Sequence, residues 1–128
     1  MNVDPVTVEV IRNGFLSIAR QMNNNLVRSA YTPIIYEMHD CSVGVFDRDG
    51  RLLGQSPGLP MFLGNLELGI LSTIEMMGGT DEFHAGDVYM VNDPYLVGSH
   101  TYDVNVFSPI FLDSELIGFG ATKAHWLD

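Results

Sequence analysis

The stretch Asp103-Val104-Asn105-Val106-Phe107-Ser108-Pro109-Ile110-Phe111, the short link Leu112-Asp113-Ser114, and then Glu115-Leu116-Ile117-Gly118-Phe119-Gly120-Ala121-Thr122-Lys123 decide the fold. Two apolar-rich runs joined by so short a link read as an antiparallel hairpin. Closing the ladder across that link sets Asp103 opposite Lys123 or Ala124, and His125 opposite Thr101 or Tyr102. His100, Asp103 and His125 therefore meet at one end of one hairpin.

Those three residues are the candidate metal ligands of the chain. Neutral imidazole suits Zn, Mn or Fe, an added carboxylate hardens the set, and three protein ligands leave coordination positions for water or substrate. A blander reading stands beside this one: a histidine and an aspartate three apart recur by chance, and an Asp-His contact also serves as a surface hydrogen bond or a satisfied buried pair. Asp93, which precedes Pro94 and opens the loop that carries His100, is a candidate to support the ligands from behind. His39-Asp40 reads as a polar pair at a strand entry, with a proton relay as the alternative, and His84 as a solvated or packing histidine.

Working outward, Val8, Ile11, Phe15, Ile18, Met22 and Leu26 recur at steps of three and four, which predicts one helix from Val6 to about Ala30. Asp4-Pro5 supplies its start, and Asn23-Asn24-Asn25 weakens its last turns. A first hairpin is expected from Ser42 to Asp47 and Arg51 to Gln55, with Gly50 taking the left-handed conformation in Arg48-Asp49-Gly50. The Asp47-Arg48-Asp49-Gly50 string is not a calcium loop, because Gly58 stands where an EF-hand requires glutamate. A second helix is expected from an Asn65 cap through Leu66, Ile70, Ile74 and Met77 to Gly78-Gly79, with Gly69 weakening it, and a strand at Val88 to Val91. The fold class is therefore α+β: a mainly antiparallel five-stranded sheet with two packed helices, the first hairpin beside the last and Val88 to Val91 at the edge.

At 128 residues the chain forms at most one domain. Six Lys plus Arg against sixteen Asp plus Glu give a net charge of -10, which disfavours nucleic acid as a partner. The single cysteine, Cys41, excludes an internal disulfide and reads as a buried structural thiol. No apolar run approaches the roughly 20 residues that span a bilayer, so neither signal peptide nor membrane anchor is indicated and a cytoplasmic location is expected. There is no phosphate-binding glycine loop followed by lysine, hence no nucleotide site of its own. The sequence stops at Asp128, just past His125, so remaining C-terminal sequence is expected to complete the site.

Four ordered motifs make the chain recognisable: Asp4-Pro5-Val6-Thr7-Val8-Glu9-Val10-Ile11, Val45-Phe46-Asp47-Arg48-Asp49-Gly50-Arg51-Leu52, Gly86-Asp87-Val88 with Asn92-Asp93-Pro94-Tyr95, and Gly98-Ser99-His100 with Lys123-Ala124-His125. Together they resemble the N-terminal part of the hydantoinase B/oxoprolinase family, which includes large subunits of ketone carboxylases and of ATP-dependent lactam hydrolases. The resemblance covers residues 1–128 here but only a fraction of a family member. It implies a divalent metal (Zn, Mn or Fe) on His100, Asp103 and His125, since acetone carboxylase relatives space their ligands this way. It also implies a hydantoinase A-like partner that binds ATP and phosphorylates the substrate carbonyl oxygen, after which the B-type subunit directs attack on the activated molecule.

The favoured expectation is ATP-dependent hydrolysis of a hydantoin, 5-oxoproline or related lactam, with the isolated 128-residue chain inactive. Ketone carboxylation is the alternative on the same scaffold, and a noncatalytic assembly role is the third reading. Tyr95, Tyr102 and Trp126 flank the ligands, either as ordinary packing or as the lining of a pocket for a small planar ring.

Overall fold

A computed structural model describes residues 4–126 apart from 57, 59 and 99. Its elements run α1 (Pro5–Ser29), α2 (Pro33–Tyr36), β1 (Cys41–Asp47), β2 (Leu52–Gln55), α3 (Pro60–Met77), a 3-10 turn (Thr80–Glu82), β3 (Tyr89–Val91), α4 (Pro94–Val97), β4 (Asp103–Leu112) and β5 (Glu115–His125). The strands form one sheet in the order β2-β1-β5-β4-β3, and every recorded pairing is antiparallel. The expected α+β class, the adjacent hairpins and the edge position of the third strand all hold. The two long helices are accompanied by two single-turn helices, α2 and α4.

Period-two alternation sorts the central strands onto two faces. Phe46, Phe107, Phe119 and Ala121 bury one face against Leu66 and Ile70 of α3, with Phe83 and Leu116 completing the cluster. On the other face Cys41 and Ala124 pack with Ile35 of α2 and with Leu26 and Val27 of α1. Helices thus pack on both faces, the second face being covered mainly over β1 and β2, and α1 lies close enough to β2 that a side chain at Gly54 would meet Phe15. Among the described residues no helix is long and apolar enough to cross a membrane.

Helix α1 starts as expected, with the Asp4 side chain accepting from the Thr7 amide at 3.2 Å, and it continues through the three asparagines. Its predicted apolar stripe is only half used. Val8 and Ile11 remain 50% and 52% exposed, whereas Ala19 is fully buried, so the helix meets the sheet only from about Phe15 onward. The second long helix begins at Pro60, five residues ahead of the expected Asn65 cap. Proline fits the first helical position, and the following Phe62 is buried, which extends the apolar face backward.

The hairpin register also differs from expectation. The turn is the two-residue Asp113-Ser114, with Asp113 in the left-handed region (φ 54°), a conformation aspartate tolerates better than most residues. Leu112 then pairs with Glu115 and Phe111 with Leu116, but Ile110 pairs with Gly118, so Ile117 is a bulge. From there to the end of the ladder the pairing is displaced by one, and Asp103 faces His125 rather than Lys123 or Ala124.

Gly69 in α3 has a packing reason. A Cβ there would stand 2.8 Å from Asn105 Nδ2, which is fully buried and donates to the Asn65 carbonyl at 3.1 Å. Alanine at a helix interior gains about 1 kcal/mol over glycine, while overpacking a rigid core costs about 1–3 kcal/mol. Gly69→Ala is therefore predicted to lower stability by about 1 kcal/mol in denaturant unfolding; a gain would mean that Asn105 yields freely.

Candidate metal centre

The first residue of β4 and the last of β5 are cross-strand partners, and the bulge at Ile117 puts them in register. Alternation then sets Asp103 and Asn105 of β4, with Lys123 and His125 of β5, on the face covered by α3, at the end of the apolar cluster. His100 arrives from the preceding loop, which is shaped by short-range bonds. Asp93 Oδ1 accepts from the Tyr95 amide at 2.9 Å to cap α4, Gly98 ends α4 in the left-handed region (φ 65°), and Asn92 Nδ2 donates to the Thr101 carbonyl at 3.0 Å. The Asp103 amide donates to the His100 carbonyl, folding the loop back upon the strand.

The three expected ligands come together, their donor atoms all lying within 4.8 Å of one another. His125 Nδ1 is 2.9 Å from Asp103 Oδ1, and His100 Nδ1 is 3.6 Å from Asp103 Oδ2. Exposure is graded across them: the Asp103 side chain is 1% exposed, His125 22% and His100 67%. A buried carboxylate, a half-buried imidazole and an exposed imidazole make a centre that is closed by the sheet behind and open toward solvent on the His100 side. Two nitrogens and one oxygen so disposed fit a divalent transition ion that keeps positions free.

The sequence pattern gave Lys123 no role of its own. Its side chain is fully buried, with Nζ 3.7 Å from Asp103 Oδ2 and 4.6 Å from the centroid of the Phe62 ring. Burial pushes its pKa down, and the negative charges of Asp103 and Asp40 pull against that shift. The signal was present in the alternation: a face that receives His125 receives the residue two positions earlier as well.

The other candidates separate clearly. Asp40 joins the periphery, since its carbonyl accepts from the His125 amide at 3.2 Å, and its buried Oδ1 has no hydrogen-bond partner among the described residues. His39 is exposed and left-handed (φ 55°), and His84 is exposed beside Asp87. Tyr102 sets its ring edgewise 6.0 Å from His125 and Tyr95 is almost wholly exposed, whereas Trp126 lines a cavity with Tyr31, Thr32 and Ile35 on the α2 side. Cys41 is buried as expected, and burial together with Asp40 raises its pKa, which keeps the thiol protonated.

The profile of the hydantoinase B/oxoprolinase family matches residues 4–128. The chain belongs to that family. It is 38% identical over 128 residues to the B-type subunit of a putative D-/L-hydantoinase from Pseudomonas sp. (strain NS671), covering 98% of this chain and 22% of that protein. It is similar to the ATP-dependent caprolactamase crystal structure from Pseudomonas jessenii, with a TM-score of 0.80, 28% identity, and coverage of 98% of this chain and 21% of that one. The nucleotide-free structure of acetone carboxylase shares the fold, with a TM-score of 0.84 at 21% identity over 95% of this chain and 16% of that one. The chain spans under a quarter of the length of each.

The graded burial separates the two kinds of ligand substitution. Asp103→Ala deprives buried Lys123 of a carboxylate and is predicted to cost about 3 kcal/mol, as losing one partner of a buried ion pair does. His100→Ala, on an exposed side chain, should stay within about 0.5 kcal/mol of wild type. Chemical denaturation of the metal-free protein checks both, and equal effects would contradict the assignment of burial.

Proposed function

We propose that this chain is part of the B-type subunit of an ATP-dependent cyclic-amide hydrolase, acting on a hydantoin, 5-oxoproline or related lactam, with a divalent Zn, Mn or Fe ion held by His100, Asp103 and His125. The observation that carries the reading is the convergence of these three donors at an open strand end, in a member of a family whose relatives include a putative hydantoinase and a caprolactamase. The hydantoinase relative is one subunit of its enzyme and the caprolactamase is ATP-dependent, which together support a partner that binds nucleotide. In this proposal the partner is hydantoinase A-like and phosphorylates the substrate, the remaining sequence of the B-type subunit completes the site, and the reaction takes place in the cytoplasm, the compartment that supplies ATP.

Cyclic amides of low ring strain hydrolyse slowly, and phosphorylation of the amide oxygen creates a leaving group at the carbon under attack. A divalent ion held here would supply Lewis acidity, to activate water or to polarise the phosphorylated oxygen. The chain's own part is positional. Asp103 provides a buried carboxylate with a fixed direction, His125 is held to it by the 2.9 Å contact, and His100 closes the set from the solvent side, where substrate can approach.

His100→Ala is the informative variant, because it removes a ligand without touching the buried pair. In the intact complex it should lower metal content and ring opening together, while substrate-dependent ATP cleavage by the partner persists in part. Wild type should release a ring-opened acid without bicarbonate. Bicarbonate carbon in the product would instead identify a carboxylase, and unchanged metal content in both His100→Ala and His125→Ala would remove the site.

A further inference from the structure

We propose that Lys123 is a positioning residue of this centre, one that holds Asp103 ready for a cation without itself touching cation or substrate; the inference rests on the metal reading above. A carboxylate with 1% exposure has little water to solvate it, and a lone buried charge of that kind is costly. Lys123 answers it from inside the fold. Its ammonium lies 3.7 Å from Oδ2, the oxygen turned away from the 2.9 Å contact between Oδ1 and His125. His125 thus sits on Oδ1, while Lys123 and, at 3.6 Å, His100 share Oδ2, and rotation of the group would break these contacts at once.

The lysine is in turn held in place. Its cross-strand partners are Ser42 on β1 and Asn105 on β4, the latter tied to α3 through the Asn65 carbonyl, and the Phe62 ring from the same helix lies 4.6 Å beneath the ammonium. A cation over an aromatic face gains electrostatic attraction that strengthens with desolvation. The path from α3 through Phe62 and Lys123 to Asp103 is therefore one of packed, fully or nearly buried side chains, with exposures of 6%, 0% and 1%. Helix α3 sets the direction of a ligand on the strand below it. Such outer partners of ligating groups typically contribute about 10–100-fold to metal affinity.

The opposing effect is repulsion between an ammonium and an incoming dication, so the sign of the change on removing the lysine discriminates. The experiment is titration of the intact, metal-stripped protein with Zn(II) and Mn(II), followed by calorimetry, with thermal unfolding of the metal-free forms alongside. Lys123→Met retains a chain that packs on Phe62 and should weaken binding about 10–100-fold. Phe62→Leu keeps the lysine but removes the ring beneath it, and should weaken binding several-fold. In an Asp103→Asn background, Lys123→Met should change the residual affinity by less than twofold, because the lysine acts through that carboxylate.

Affinity within twofold of wild type in the folded variants, with only the melting temperature altered, would show a purely structural lysine and overturn the proposal. Tighter binding in Lys123→Met would overturn it as well, since repulsion would then outweigh positioning. Should Lys123→Met not fold, the Phe62→Leu titration decides by the same twofold limit. Failure of the wild-type protein to bind either ion would overturn the metal reading, and this inference with it.

Discussion

The pairing of β4 with β5 is the constraint on which the rest of the structure depends. Side chains alternate faces with period two, so a one-residue slip of one strand would exchange its inward and outward sets. The ladder closes with a two-residue turn and then absorbs one extra residue at Ile117. That single bulge brings Phe107 opposite Ala121 in the core and Asp103 opposite His125 at the far end. Core and candidate site therefore share one register, and a change that shifted it would move both.

Charge enters this arrangement only where the apolar cluster ends. Phe107 and Phe119 belong to the same covered face as Asn105, Lys123 and Asp103, so the strands pass from apolar contact to buried ionic contact within two pairs. A buried ion pair is a weak source of net stability, because desolvating both partners offsets their attraction. Retaining Asp103 and Lys123 under α3 is better explained by placement of the carboxylate than by stabilisation of the fold. His100 stands apart from this trade-off: it is exposed and carried by a loop.

Much of this was legible in the sequence because local chemistry determined it. Asp4-Pro5 marked the start of α1, Gly50 the first hairpin turn, and the apolar runs around Asp113-Ser114 the second. The three convergent donors followed from that hairpin, even with the register one residue off, since all lie at its open end. Features set by tertiary contact were not legible. Nothing local reveals that α1 leaves Val8 and Ile11 uncovered or that a bulge forms at Ile117, whereas the start of α3 did carry a local mark, a proline at the first helical position. Lys123 was hidden for a different reason: lysine is almost never fully buried, so composition argues for an exposed side chain and only the strand alternation argues against it.

The central claim is that His100, Asp103 and His125 hold one divalent ion, and X-ray absorption spectroscopy of the zinc-loaded protein tests it most directly. The account predicts a nitrogen and oxygen shell with the outer-shell scattering of two imidazoles, falling to one imidazole in His125→Ala. A sulfur shell near the roughly 2.3 Å of a zinc–thiolate bond, or a spectrum unchanged in His125→Ala, would contradict it.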